Sequence, residues 1–417
     1  MREIFADTRP LQVPAYRKLW IANILTQLGA QMTVVAVPAQ IYALTDSSGY
    51  VGLTGLFGLV PLVIFGLYGG SIADAFDKRK VLIVSTLGMI ITSGAFFVVT
   101  ALGQANVWLL LSIFALQQAF FAVNQPTRTA VFRSILPFDQ LAAGASLNMM
   151  VMQAGAIVGP LVAGALIPFV GYSWIYLIDV ACLVPTLGAV LTLPSLPPTG
   201  PTEAPGLRSI GSGLRYLWAQ PVLLIAMLLD AIAMVFGMPR ALYPEMAAVD
   251  FGGSPLMLSL LYSSIALGAV VGGLFSGWVS RVIHQGKAVA LCIVVWGGAI
   301  VLAGLFTLIS PPQVSVWAWL VVGMLVIGGA ADMFSASLRN AILQQSATTE
   351  MQGRVQGVYI IIVVGGPRIA DIAHGWAAEF VSTGWTTLIG GVLVIAGTAV
   401  SMLLVPRFWT YKKPLTD

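Results

Sequence analysis

The sequence predicts an all-α integral membrane protein of twelve transmembrane helices in two six-helix halves. Three observations predict it. Of the 417 residues, 58% are hydrophobic and 9% are charged, whereas a soluble domain carries about 25% charged residues. A soluble fold of this length cannot hide so much apolar surface, because surface area falls too slowly with size. The apolar residues come in long runs, and about 20 of them in a row cross a bilayer. Features of the first half also recur, in order, in the second.

Hydropathy and helix breakers place the spans. The first six fall at roughly 17–43, 49–73, 81–102, 106–127, 141–168 and 172–193. The second six fall at roughly 221–246, 256–279, 288–309, 314–338, 354–381 and 384–406. These divide the chain into an N-terminal bundle, 1–193, a linker, 194–220, and a C-terminal bundle, 221–417. The linker holds Pro194, Pro197, Pro198, Pro201 and Pro205, a composition suited to an extended connection. The first apolar run is too long for a signal-peptide core and reads as a true span. The 44 glycines fit the same picture, because small residues let membrane helices approach closely.

Orientation follows from the Lys and Arg positions. With the N-terminus in the cytoplasm, all but two of the twenty fall on cytoplasmic segments. Examples are Lys78, Arg79 and Lys80 after span two, Arg128 and Arg133 at the span-four exit, and Arg281, Lys287, Arg339 and Arg354 later. The exceptions are Arg240 and Arg368. The net charge of +4 is therefore a topology signal and needs no nucleic-acid partner. Both termini are expected in the cytoplasm.

The internal repeat rests on three matches. Gly70 to Asp74 after span two resembles Gly273 to Gly277 after span eight. Arg128 and Asp139 recur as Arg339 and Glu350, at the same separation of eleven. Gly159-Pro160 in span five recurs as Gly366-Pro367 in span eleven. The offsets of 203, 211 and 207 residues are nearly constant.

Ionisable residues inside spans are costly and mark function. Asp230 lies near the middle of span seven, with no cation within a turn of its own helix. Arg368 and Asp371 stand three apart in span eleven, a spacing that permits a local ion pair. Asp332 lies in the cytoplasmic half of span ten, and Asp179 in the outer part of span six. A carboxylate in a dry cavity binds a proton readily, and an arginine partner drives the proton off. Asp230, Arg368, Asp371 and Asp332 are thus the candidates for proton coupling. Asp179 reads as a residue that pins helices together.

Polar side chains point to a cavity or a partner helix, because lipid cannot satisfy them. Asn23, Gln27 and Gln31 recur every four residues along one face of span one. Gln117 and Asn124 add polarity to span four, and Tyr262 to span eight. These six are the candidate substrate-cavity residues. Amides and aromatics with few fixed charges suit a bulky aromatic or amphiphilic solute. Cys182 and Cys292 lie in separate apolar runs and read as buried small hydrophobes. The two histidines, His284 and His374, are too scattered for a metal site. No cofactor, no metal and no nucleophile–base constellation is read, so an integral-membrane enzyme is disfavoured. No P-loop signature of an ATP-driven pump occurs.

Several motifs carry a resemblance. The run Gly70-Ser71-Ile72-Ala73-Asp74-Ala75-Phe76-Asp77-Lys78-Arg79-Lys80 resembles the signature loop of the major facilitator superfamily, departing from it at Ala75, where Arg is usual. The resemblance makes Gly70, Asp74, Asp77, Lys78 and Arg79, with Arg133, a cytoplasmic gate. In span five, Gly155, Gly159, Pro160 and Gly164 resemble the motif of the superfamily's exporters and antiporters. Val37 to Thr45, Arg240 to Pro244, Leu261 to Ala269 and Thr349 to Val355 look like the enterobactin exporter family, whose cousins export macrolide-type drugs. The resemblance implies the superfamily fold, two halves that rock about a midplane site, and proton-driven efflux across the inner membrane. The expected partners are a small-molecule substrate, protons and the lipid bilayer, with the chain acting as a monomer. A siderophore-like solute and a macrolide- or tetracycline-type drug are both open as substrates.

Overall fold

The computed structural model describes residues 7–197, 215–346 and 352–412, apart from the side chains at 67–75, 280, 352–354, 356–357 and 360. No strand occurs among the described residues. Among the described residues, ten stretches are long and apolar enough to cross a membrane. One of them holds two helices, because the run Leu141–Leu191 turns at Gly171, where φ is 75°. Glycine alone takes that backbone angle freely.

We number the helices in chain order. The first half has α1 (Pro14–Thr45), α2 (Ser48–Ala75), α3 (Lys78–Ala101), α4 (Val107–Ile135) and the two limbs of the long run, α5 (141–170) and α6 (172–191). The second half has α7 (Pro221–Gly237), α8 (Pro255–Leu274), α9 (Gln285–Ile309), α10 (Val316–Ser346), α11 (Gln352–Val381) and α12 (Thr383–Leu404). With α11, which carries Pro367 and the four charged residues Arg354, Arg368, Asp371 and Glu379, the helices are consistent with twelve spans.

Side-chain caps start several of them by satisfying orphan N–H groups. Asn106 accepts from the Leu109 N–H at 3.0 Å to start α4, and Ser254 accepts from the Met257 N–H at 3.4 Å to start α8. Exposed Trp108, Trp174, Trp319 and Trp385 stand near the starts of α4, α6, α10 and α12. Tryptophan favours the membrane–water interface, where its ring is apolar and its N–H is wet.

Three ends differ from the hydropathy reading, and each difference moves a charge. Helix α7 stops at Gly237 rather than near 246, because Pro239 supplies no N–H and keeps Met238 out of the helical region, at φ −115° and ψ 84°. A 3-10 turn, Arg240–Leu242, and a π turn, Met246–Asp250, follow. Helices α4 and α10 run on to Ile135 and Ser346, so Arg128 and Arg339 lie inside helices and not at loop ends.

The chain forms two compact units, 1–44 with 57–205 and 45–56 with 206–417. In the first, Tyr16, Leu82, Phe132, Leu147 and Val190 build a core that joins α1, α3, α4, α5 and α6. The Tyr16 hydroxyl donates to the Gly144 carbonyl at 2.8 Å, and its ring meets Phe132 edge-on at 5.2 Å. In the second, α9 packs on α10 and α12. Glycines sit at the closest helix crossings: a Cβ on Gly268 would strike the Val326 carbonyl, and one on Gly329 the Ile265 carbonyl. Close backbone approach replaces the hydrophobic drive that lipid cannot supply between helices.

Candidate functional site

In the second unit, α7 and α10 hold a buried charge cluster. Arg339 Nη2 lies 2.5 Å from Asp230 Oδ1 and 3.5 Å from Asp332 Oδ1. Arg339 Nη1 donates to Ser335 Oγ at 2.6 Å. The Asp230 and Arg339 side chains are 1% and 3% exposed, whereas Asp332 is 28% exposed. Asp230 is therefore not without a cation, as its own helix suggested. Its partner comes from 109 residues later in the chain. A buried pair repays its desolvation only with good geometry and further hydrogen bonds. Here Asp230 Oδ2 and Arg339 Nε are buried without a hydrogen-bond partner among the described residues, so the pair is incompletely satisfied.

A second cluster gathers where α7 breaks. Arg240 Nη2 lies 3.4 Å from Asp371 Oδ2. Arg368 lies within the field of both Arg240 and Asp371. The spacing of Arg368 and Asp371 thus belongs to a three-residue cluster, with Arg240 the cation that approaches Asp371. Tyr243 and Tyr262 stand beside it, their rings 5.1 Å apart and perpendicular. His374 is buried and its Nδ1 lies 3.1 Å from the Met238 carbonyl oxygen. The 45–56 segment seats on α11 through Gly52 and Gly55, where a Cβ would strike the backbone of Asp371 and Arg368. Nearby, Glu379 accepts from Ser47 Oγ at 2.6 Å and from the Gly49 N–H at 2.8 Å, and Ser48 donates to Glu245.

The first unit carries a counterpart of the α7–α10 cluster with one difference. Arg128 of α4, 7% exposed, donates through Nη1 to Asn23 Oδ1 of α1. Asn23 Nδ2 donates to Asn148 Oδ1 of α5 at 2.8 Å. No ion pair to Arg128 occurs among the described residues. The other polar residues of this unit mostly bond between helices. Gln117 donates to Ser93 Oγ at 2.9 Å, and Asn124 to Ser85 Oγ at 2.8 Å. Asp179 accepts from Ser93 at 2.7 Å and from Thr33 at 3.1 Å, which ties α6 to α3 and α1. Gln27 and Gln31 lie against Gly155 and Gly159, where a Cβ would meet their side chains. Pro160 and Gly164 are buried on the same helix. The small residues of α5 thus make room for the polar stripe of α1.

In the predicted gate loop, Gly70 and Asp74 fall in the last turns of α2, where the side chains lie outside the described structure. Asp77 caps α3 by accepting from the Arg79 N–H at 2.9 Å. It also accepts from Ser195 Oγ at 2.5 Å and from the Leu196 N–H at 3.2 Å. The Ser195 hydroxyl, and then these backbone N–H groups, hold its carboxyl below the ordinary value despite some burial. Arg79 donates to the Leu191 carbonyl at 2.6 Å. The loop therefore clips the chain where it leaves α6. Lys78 is buried and Arg133 is exposed.

Residues 6–412 match the family described as transmembrane secretion effector. The chain belongs to that family. It is 27% identical over 406 residues to the enterobactin exporter EntS of Citrobacter koseri, covering 96% of this chain and 94% of the relative. It is 28% identical over 397 residues to EntS of Salmonella typhimurium, covering 94% and 92%. Among solved structures, peptide transporter POT matches with a TM-score of 0.75 at 13% identity, over 98% of this chain and 100% of that one. A bacterial homologue of the iron transporter ferroportin, in an inward-facing state, matches with 0.69 at 13%, over 95% and 99%. These likenesses show the major facilitator fold. This member of the secretion-effector family is a multi-pass membrane transporter.

Arg339, Arg240 and Arg128 are the residues that sequence reasoning placed elsewhere. The repeat that pairs Arg128 with Arg339 was the available signal. Two cations at equivalent positions in both halves are poorly explained by loop topology alone.

Proposed function

We propose that the chain is a secondary active exporter. It expels a bulky siderophore-like or amphiphilic small molecule from the cytoplasm in exchange for protons, by alternating access. The observation that carries this reading is the Asp230–Arg339–Asp332 cluster. One buried arginine sits between two carboxylates of unequal exposure. A proton on Asp230 removes the charge opposite Arg339 and leaves Asp332 as its counterion. The cluster then has two arrangements that proton supply can bias, which is what a coupled two-state transporter needs. Asp371, with Arg240 and Arg368, is the other ionisable centre of the same unit. Direction rests on the span-five motif and on relatives that are named exporters. In this reading 1–193 and 221–417 are the moving halves, 194–220 is their cytoplasmic linker, and the protein works as a monomer in the inner membrane with both termini cytoplasmic. Asp74 and Asp77, with Lys78, Arg79 and Arg133, serve the cytoplasmic gate.

Efflux from cells lacking the gene tests this. Such cells should retain enterobactin several-fold above complemented cells, and a proton uncoupler should erase the difference. Gain of macrolide or tetracycline resistance on complementation, without siderophore release, would instead make it a drug antiporter. Faster solute accumulation on expression would overturn export.

A further inference from the structure

We propose that Asp179 of α6 is a second proton-binding site, a carboxylic acid held in the first unit against α1 and α3. The inference rests on the proton-exchange reading only for what the proton does, not for where it is held.

Charge carries the first part. Asp179, Asp230 and Asp371 are the fully buried carboxyl groups among the described residues. Asp230 has Arg339, and Asp371 has Arg240. No ion pair reaches Asp179 among the described residues. Gly29 and Thr33 face it from α1, and Ser93 from α3, with Gln117 of α4 behind Ser93. On its own helix Cys182 is close by, and Tyr176, a turn away, donates to Gln40 at 2.7 Å. Of these only the thiol and the phenol titrate, and both are neutral near pH 7. An ionised Asp179 would be a charge in an apolar interior with no counterion, the costliest state for a carboxyl group there.

The hydrogen bonds carry the second part independently. Ser93 and Thr33 both donate to Oδ2, at 2.7 and 3.1 Å. Oδ1 is buried and makes no hydrogen bond to the described residues. An ionised carboxylate accepts on both oxygens, whereas a protonated one has a carbonyl oxygen that accepts and an O–H. Two donors on one oxygen and none on the other is the pattern of the acid, with Oδ2 its carbonyl and Oδ1 its hydroxyl. Gly29 closes over Oδ1 so tightly that a Cβ there would strike it. A proton fits that contact, and a metal ion with its shell of oxygen ligands does not. Release of the proton leaves a charge that only water can satisfy. It must therefore accompany a parting of α6 from α1 or α3, which ties proton binding to helix movement inside the unit.

The test is infrared spectroscopy of the full-length protein in lipid nanodiscs at neutral pH. The C=O stretch of a carboxylic acid, which a carboxylate lacks, is compared in the wild type and Asp179→Asn. Asparagine keeps a carbonyl for Ser93 and Thr33 and puts N–H in place of O–H, so the variant should melt at an unchanged temperature. The wild type should show an acid band, shifted in heavy water, that the variant loses. Bands of Asp230 and Asp371 are common to both and cancel. Ser93→Ala should move the Asp179 band to higher frequency by removing a donor to its carbonyl. Loss of carboxylate bands instead of the acid band in Asp179→Asn would overturn the proposal. So would an acid band that vanishes when sodium chloride is added at constant pH, since the site would then take a metal ion. If Asp179→Asn is not monodisperse, an unmoved spectrum in Ser93→Ala overturns it. The spectrum reads proton occupancy and not transport, so a failure of the export reading would leave this result standing, and the reverse.

Discussion

Arg128 and Arg339 stand 211 residues apart in the chain, each on the fourth helix of its half. Each reaches the first helix of the same half, where Asn23 and Asp230 stand 207 residues apart. The scaffold is the same and the partner differs by one group: an amide in the first unit, a carboxylate in the second. An amide fixes the arginine by a hydrogen bond and has no proton to exchange. A carboxylate fixes it by charge and can lose that charge. The first contact is a joint, and the second is a joint that a proton can undo.

The largest expected effect comes from removing each arginine. Arg339→Ala leaves Asp230 buried without its cation, and breaking such a pair costs about 3–5 kcal/mol. Arg128→Ala strands only an amide, at a cost of about 1–3 kcal/mol. Thermal unfolding of the two purified variants should therefore separate clearly, with Arg339→Ala far less stable. Equal losses would mean that the two contacts are energetically alike and that the comparison has no content.

Making the second unit like the first comes next. Asp230→Asn keeps the size and the hydrogen bond to Arg339. The protein should insert normally. In proteoliposomes, concentrative transport driven by a pH gradient should vanish, while downhill exchange of substrate continues. If the variant still concentrates substrate, Asp230 is structural and Asp332 becomes the next carboxylate to test.

The converse change is the mildest. Asn23→Asp gives Arg128 a charged partner, and a charge-assisted hydrogen bond contributes about 1–2 kcal/mol more than a neutral one. A modest rise in melting temperature at neutral pH is expected. A loss would show that Arg128 already has its counterion.

Much of the fold was legible because lipid imposes it. Spans must be apolar and helical. Asp230, Arg368 and Asp371 were legible for the same reason, since a charge inside an apolar run stands out. Span ends were less so. Hydropathy ends a span where polarity begins, but α10 continues past Arg339 because that cation is neutralised inside the bundle. Pro239 was visible in the sequence, yet the long apolar run around it concealed where α7 stops.

By itself, then, the sequence determined the helices, their repeat and the presence of costly buried charge, all properties of local composition against a fixed solvent. Only the tertiary structure decided which charges meet. Asp230 finds Arg339, Asp371 finds Arg240, and Arg128 finds an amide. Those pairings depend on which helix faces pack together over separations of more than a hundred residues, and a one-dimensional pattern carries no distance across the bundle.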